Sequence, residues 1–132
     1  MPTHTSSSAR SVAVLGASTD RAKFGNKAVR AFQQQGYTVY PVNPKGGTIE
    51  GLPVCASLAE VSAAHLDRIS VYLPPPVSFE LLPEIAAKGA REIWFNPGSA
   101  DAQVLAAARE AGLNAIAGCS IVDIGRSPAQ FP

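Results

Sequence analysis

The sequence predicts a Rossmann-like α/β domain: a doubly wound parallel sheet of about five strands with helices on both faces. Three observations carry that expectation. Short apolar runs alternate with stretches of helical periodicity along nearly the whole chain. The first run, Val12-Ala13-Val14-Leu15, breaks into Gly16-Ala17-Ser18-Thr19, a glycine-led turn that brings backbone amides close to an anion. Finally, each turn that carries candidate chemistry follows the C-terminal end of a predicted strand, and right-handed crossovers gather those ends on one edge of a sheet.

The first strand covers residues 11–15. A helix over 26–35 follows, capped by Asn26, with Ala28, Val29 and Phe32 on one face and Gly36 ending it. Residues 37–42, aromatic and β-branched, form the second strand. The glycine-rich stretch 45–51 is a loop leading to an extended piece at 52–55, and Ser57-Leu58-Ala59-Glu60 has the spacing of a capping box before a brief helix. Residues 69–73 make the next strand, stopped by Pro74-Pro75-Pro76. Three prolines donate no backbone hydrogen bonds, so they read as a stiff apolar wall in a loop. Pro83 kinks a helix over 78–88 or begins a second short one; a strand at 92–95, with Trp94 in the core, enters Asn96-Pro97-Gly98. Ser99 caps a helix over 101–111, and 114–117 is the last strand. Residues 1–10 read as a disordered polar tail, 11–125 as the domain and 126–132 as a C-terminal tail.

Bulk properties bound the function. At 132 residues, 46% hydrophobic and 16% charged, the chain can bury a core without metal or disulfide support. A net charge of +1 provides no basic field for nucleic acid. Two cysteines, Cys55 and Cys119, are too few for a disulfide scaffold and suit a reduced, cytoplasmic setting. No apolar run has the length of a membrane span. The composition leaves room for a protein partner without identifying one.

The candidate chemistry is nucleotide binding. Backbone amides after Gly16 and the hydroxyls of Ser18 and Thr19 suit a pyrophosphate, with Arg21 or Lys23 supplying charge. The dinucleotide fingerprint Gly-x-Gly-x-x-Gly is broken, because Ser18 and Arg21 stand at its second and third glycine positions. The second strand ends in Asn43-Pro44-Lys45, where an enzyme holding an NAD ribose places an acid. A lysine there suits a ribose carrying an extra phosphate. Asn96 is a candidate for an amide or an adenine edge. Against catalysis, no nucleophile elbow, metal spacing or Walker lysine occurs; His4 lies in the tail and His65 in a linker. Cys119 reads as the start of a helical turn and as a small core residue, and Cys55 as structural.

Val14-Leu15-Gly16-Ala17-Ser18, with Gly36-Tyr37-Thr38-Val39-Tyr40-Pro41-Val42-Asn43-Pro44, resembles the small stand-alone CoA-binding proteins. Gly89-Ala90 before Glu92-Ile93-Trp94-Phe95-Asn96-Pro97-Gly98, and Ala117-Gly118-Cys119-Ser120-Ile121-Val122, agree with that family. The domain is similar to the N-terminal CoA-binding half of the succinyl-CoA synthetase alpha subunit, whose phosphorylated catalytic His lies in a second domain that this sequence does not reach. The resemblance implies coenzyme A or acyl-CoA as ligand. By position it implies that Gly16, Ala17, Ser18 and Thr19 wrap the phosphates, and that Asn43, Pro44 and Lys45 lie near the adenosine phosphates. It further implies that Leu73, Pro74 and Pro75 form an apolar loop beside the ligand, with Asn96 in the next loop. The synthetase turn has a second glycine where Ser18, Thr19 and Asp20 stand here. Two function classes follow: a CoA-binding module without catalysis, as sensor or carrier, or an enzyme, either an NADP-type oxidoreductase or an acyl-CoA activity that needs a partner subunit.

Overall fold

The computed structural model describes residues 10–132, so the polar tail expected over 1–10 lies, Arg10 apart, outside the described residues. The chain runs β1 (Ser11–Leu15), α1 (Phe24–Gln34), β2 (Thr38–Val42), β3 (Thr48–Ile49), β4 (Leu52–Pro53), β5 (Leu66–Val71), α2 (Pro75–Lys88), β6 (Ala90–Phe95), α3 (Ala102–Glu110), β7 (Ala115–Ala117) and α4 (Ser120–Asp123). Short 3-10 turns occupy Leu58–Glu60 and Pro128–Gln130.

Five strands form one parallel sheet in the order β2-β1-β5-β6-β7. The chain steps from β1 to β2 on one side and then returns to pair β5 on the other. Strand order therefore reverses at β1, and a crevice opens between the C-terminal ends of β1 and β5. Alternation along β1 shows the double winding. Val12 and Val14 pack with Ala28, Val29 and Phe32 of α1 and Ile121 of α4. Ala13 and Leu15 face the other way, into a core with Leu82 and Ile85 of α2 and Val104 and Ala108 of α3. A strand buried on both faces is a continuous apolar run, as this one is.

Several element boundaries differ from the sequence expectation, each for a local reason. Asn26 does not cap α1; the helix starts two residues earlier, and Asn26 is fully buried inside it. Its amide donates to Ser18 O at 2.9 Å and Glu50 Oε2 at 3.0 Å, and its Oδ1 accepts from Arg30 Nε at 2.7 Å. The loop at 45–51 instead closes a small antiparallel hairpin, Ile49 opposite Leu52, because Glu50 and Gly51 both take positive φ at its turn. Ser57 makes no side-chain cap; Glu60 Oε1 accepts from Ala56 N at 2.9 Å.

The triple proline is not a loop. Pro74 caps α2, and Pro75 and Pro76 are its first two residues, where a missing N–H costs nothing because no carbonyl waits for it. The same helix runs on through Pro83 to Lys88. Asp101, not Ser99, caps α3, its Oδ1 accepting from Val104 N at 2.9 Å, while buried Ser99 donates to Asn96 O at 2.7 Å. The C-terminal residues do not trail. Ser127 and Gln130 form a reciprocal capping box, and Phe131 is buried against the α1 face of the core with the Arg30 guanidinium 5.7 Å from its ring centroid. Among the described residues, no helix is long and apolar enough to cross a membrane.

Candidate functional site

The crevice at the reversal of strand order opens into a groove of about 730 Å³, bounded by the ends of β1, β2, β5 and β6 and the start of α1. Gly16 forms its floor at φ +82°, and a β-carbon added there would lie 2.2 Å from Tyr72 O. Both the dihedral and the contact exclude a side chain. Gly25 closes the other side: its added β-carbon would sit 2.1 Å from Gly16 O. The helix start and the strand end thus interlock through two glycines. In the dinucleotide fingerprint the third glycine allows this close packing; here a glycine nine residues after Gly16 allows it, across a longer loop.

That loop is held by its own side chains. Ser18 Oγ accepts from Asp20 N and Asp20 Oδ1 accepts from Ala22 N, each at 3.0 Å. Ser18 keeps its hydroxyl proton for another acceptor. Lys23, at the cap position of α1, has no side-chain oxygen to cap the helix; its carbonyl accepts from Asn26 N at 3.1 Å, and the amides of Phe24 and Gly25 are left without a side-chain cap where these residues line the groove. Lys23 and Lys45 both line the groove, and no acidic residue does among the described residues. The groove is built to receive an anion.

Asn43 joins two of the converging loops. Its Nδ2 donates to Ala17 O at 2.8 Å and its Oδ1 accepts from Lys45 N at 2.9 Å, which fixes Lys45 beside the glycine turn. Tyr72, Leu73, Pro74 and Pro75 continue the wall, and Pro97, Gly98 and Ser99 complete it. Burial pushes the Tyr72 phenol up to about 12, against the lowering pull of the Ser120 and Ser70 hydroxyls. At neutral pH it is therefore uncharged. Next to the groove lies a mainly apolar slot of about 280 Å³, lined by Leu15, Val42, Pro44, Leu58, Val77 and Leu81 together with Glu84, with Gly16 and Leu73 shared between slot and groove.

Of the residues singled out from sequence, Gly16, Ala17, Ser18, Asn43, Lys45, Leu73, Pro74 and Pro75 meet in the groove. Pro44 lines the slot instead. Thr19 is exposed and outside the groove lining. Arg21 also lies outside it, its Nε 3.5 Å from the Glu50 carboxylate. Asn96 is a correction: it is 2% exposed, and its side chain is fully engaged within the protein. Its Nδ2 donates to Ser70 Oγ at 2.9 Å and Val71 O at 3.0 Å; its Oδ1 accepts from Ser120 N at 2.8 Å. Asn96 ties β5, β6 and α4 together and has no donor or acceptor left for a ligand. Sequence reasoning missed Phe24, Gly25 and Tyr72, which line the groove. Cys119 caps short α4, partly buried and outside the groove lining. Half-buried Cys55, its thiol raised by desolvation, lies beside the Val42 strand end.

Fold and groove together define a class: an α/β domain with a lysine-lined crevice at its topological switch point. The family model described as CoA binding domain matches residues 10–125, and the chain belongs to that family. A conserved hypothetical protein from Pyrococcus furiosus is 31% identical, with 86% of this chain and 98% of that one covered at a TM-score of 0.78. A Thermus thermophilus protein is 32% identical, with 89% of each chain covered at a TM-score of 0.80. The same fold is shared with a dinucleotide-forming acetyl-coenzyme A synthetase from Candidatus Korarchaeum cryptofilum, at 20% identity, a TM-score of 0.69, and coverage of 80% of this chain and 25% of that one.

Proposed function

We propose that this chain binds coenzyme A or an acyl-CoA thioester and acts as a binding module, sensor or carrier, without bond-making of its own. One observation carries the reading. At a single sheet edge, a helix N-terminus without a side-chain cap and a glycine turn stand beside two lysines in a groove that no carboxylate lines among the described residues, next to a mainly apolar slot whose lining includes Glu84. Coenzyme A has the matching sequence of groups: a pyrophosphate for the turn, a ribose phosphate for Lys45, an adenine for the slot beside Pro44 and Leu73, and a pantetheine arm for the rest of the groove. Membership of the CoA binding domain family supports the same ligand.

Lys45 also suits the ribose phosphate of NADP, which keeps an NADP-type oxidoreductase as the second reading. Calorimetry with coenzyme A, NADP and NAD separates the two. The expected result is low-micromolar or tighter binding of coenzyme A and far weaker binding of both nicotinamide nucleotides. Tight NADP or NAD binding with no response to coenzyme A would overturn the proposal. Mass spectrometry of small molecules released from freshly purified protein would identify the form carried.

A further inference from the structure

The groove has one apolar wall that the core does not use. Phe24, the first residue of α1, lines it while 55% of its surface remains exposed. A large aromatic side chain left in water at a helix start gives the fold little, and Phe24 belongs to neither of the two core clusters. The ring is held in place from within its own helix. Lys27, three residues on, brings its Nζ to 5.7 Å from the ring centroid.

Position gives the ring a meaning. Phe24 adjoins the first-turn amides that face the groove, yet it does not line the apolar slot; Pro44 lines the slot and not the groove. Two apolar surfaces therefore lie apart, with the anion turn of Gly16 serving both. A ligand with an apolar group at each end of a pyrophosphate would use both surfaces. A bare nucleotide would use only the slot.

We infer that Phe24 packs against the pantetheine arm and so selects ligands that carry such an arm over bare adenine nucleotides. The inference rests on the coenzyme reading of the groove. Phe24 is a specificity-determining contact in it, and Lys27 holds its ring.

The test is calorimetry of the full chain and of Phe24→Ala with two ligands, coenzyme A and adenosine 3′,5′-bisphosphate, which keeps the adenosine and the 3′-phosphate but has no arm. Losing part of an aromatic contact should weaken coenzyme A roughly 3- to 10-fold and change the bisphosphate by less than about 2-fold. Phe24→Leu should retain most of the affinity for coenzyme A. Thermal melting checks the fold, and if the alanine variant melts early, Phe24→Gln carries the same comparison. Equal losses for both ligands would show that Phe24 only shapes the turn, and no loss for either would show that the arm lies elsewhere; each overturns the inference. Wild-type protein that fails to bind coenzyme A at all would remove the coenzyme reading itself, whereas tight wild-type binding with an unchanged variant removes only the role of Phe24.

Discussion

Lys45 is the residue whose chemistry is most specific. It is exposed, and its backbone is fixed by Asn43, so the ammonium is presented from an anchored turn. In the proposed complex it meets the 3′-phosphate, which dephospho-CoA lacks. A charge-assisted contact at such an exposed site is worth about 1–2 kcal/mol, so Lys45→Ala should weaken coenzyme A roughly 5- to 30-fold. The same substitution should leave dephospho-CoA nearly unaffected. Titration of both ligands into both proteins reads this difference, and equal losses would move Lys45 to the pyrophosphate. Asn43 and Asn96 show why residue type alone misleads. Both are polar, both end strands at the ligand edge, and Asn96 is nevertheless closed off by Ser70, Val71 and Ser120. A sequence shows that an amide is available; only packing shows what has already claimed it.

At the level of elements, the junction of β1 and α1 governs the site. Glycine to alanine inside a helix ordinarily stabilises it by roughly 1 kcal/mol. Gly25→Ala should do the reverse here, because its new β-carbon meets a backbone oxygen that cannot swing aside. The helix start must move, at a cost of about 1–3 kcal/mol, and the first-turn amides move with it. Urea unfolding should show lower stability, and coenzyme A binding should weaken in the same variant; a neutral or stabilised Gly25→Ala would refute the interlock. This junction also marks what the sequence could convey. The strands were legible because β1 is an apolar run broken by Gly16 and the C-terminal parts of β5 and β6 lead toward Pro74 and Asn96, and the convergence of Gly16, Lys45 and Leu73 follows from parallel topology alone. The start of α1 was not legible. Asn26 looks like a cap and Phe24 does not, so the helix was set two residues late and Phe24 and Gly25 fell outside the site. The prolines misled for a similar reason: Pro75 and Pro76 read as a stiff loop when they open a helix. Phe131 was lost to the expectation that a proline-rich end trails, whereas its ring fills the α1 face.

Across the whole molecule, the proposed reading requires the groove's polar groups to hold a ligand without transforming it. The groove is lined by the Ser18 hydroxyl, whose Oγ accepts from Asp20 N, by Lys23 and Lys45, and by Tyr72, whose phenol is pushed up to about 12; no carboxylate or imidazole lines it among the described residues. Of the carboxylates near the turn, Glu50 is engaged with Arg21 and Asn26 and Asp20 with Ala22, while Glu84 lines the slot and not the groove. Exposed His65 lies by Gly89, before β6, away from the ligand edge. Thioester hydrolysis needs a base near water, and ligation of coenzyme A to an acid needs a phosphate carrier or a site for a nucleoside triphosphate. The isolated chain should therefore leave acetyl-CoA intact at the buffer's own rate. It should also form no acetyl-CoA from acetate, coenzyme A and ATP. The same samples should nevertheless show ligand-dependent thermal stabilisation. At a free ligand concentration about 100 times Kd, linkage gives about 2.7 kcal/mol, which raises the Tm of a domain this size by several degrees. Measured together, a clear Tm shift without turnover identifies a binding module. Turnover that persists through repurification and is lost in Lys45→Ala would place catalysis in this groove and overturn that conclusion.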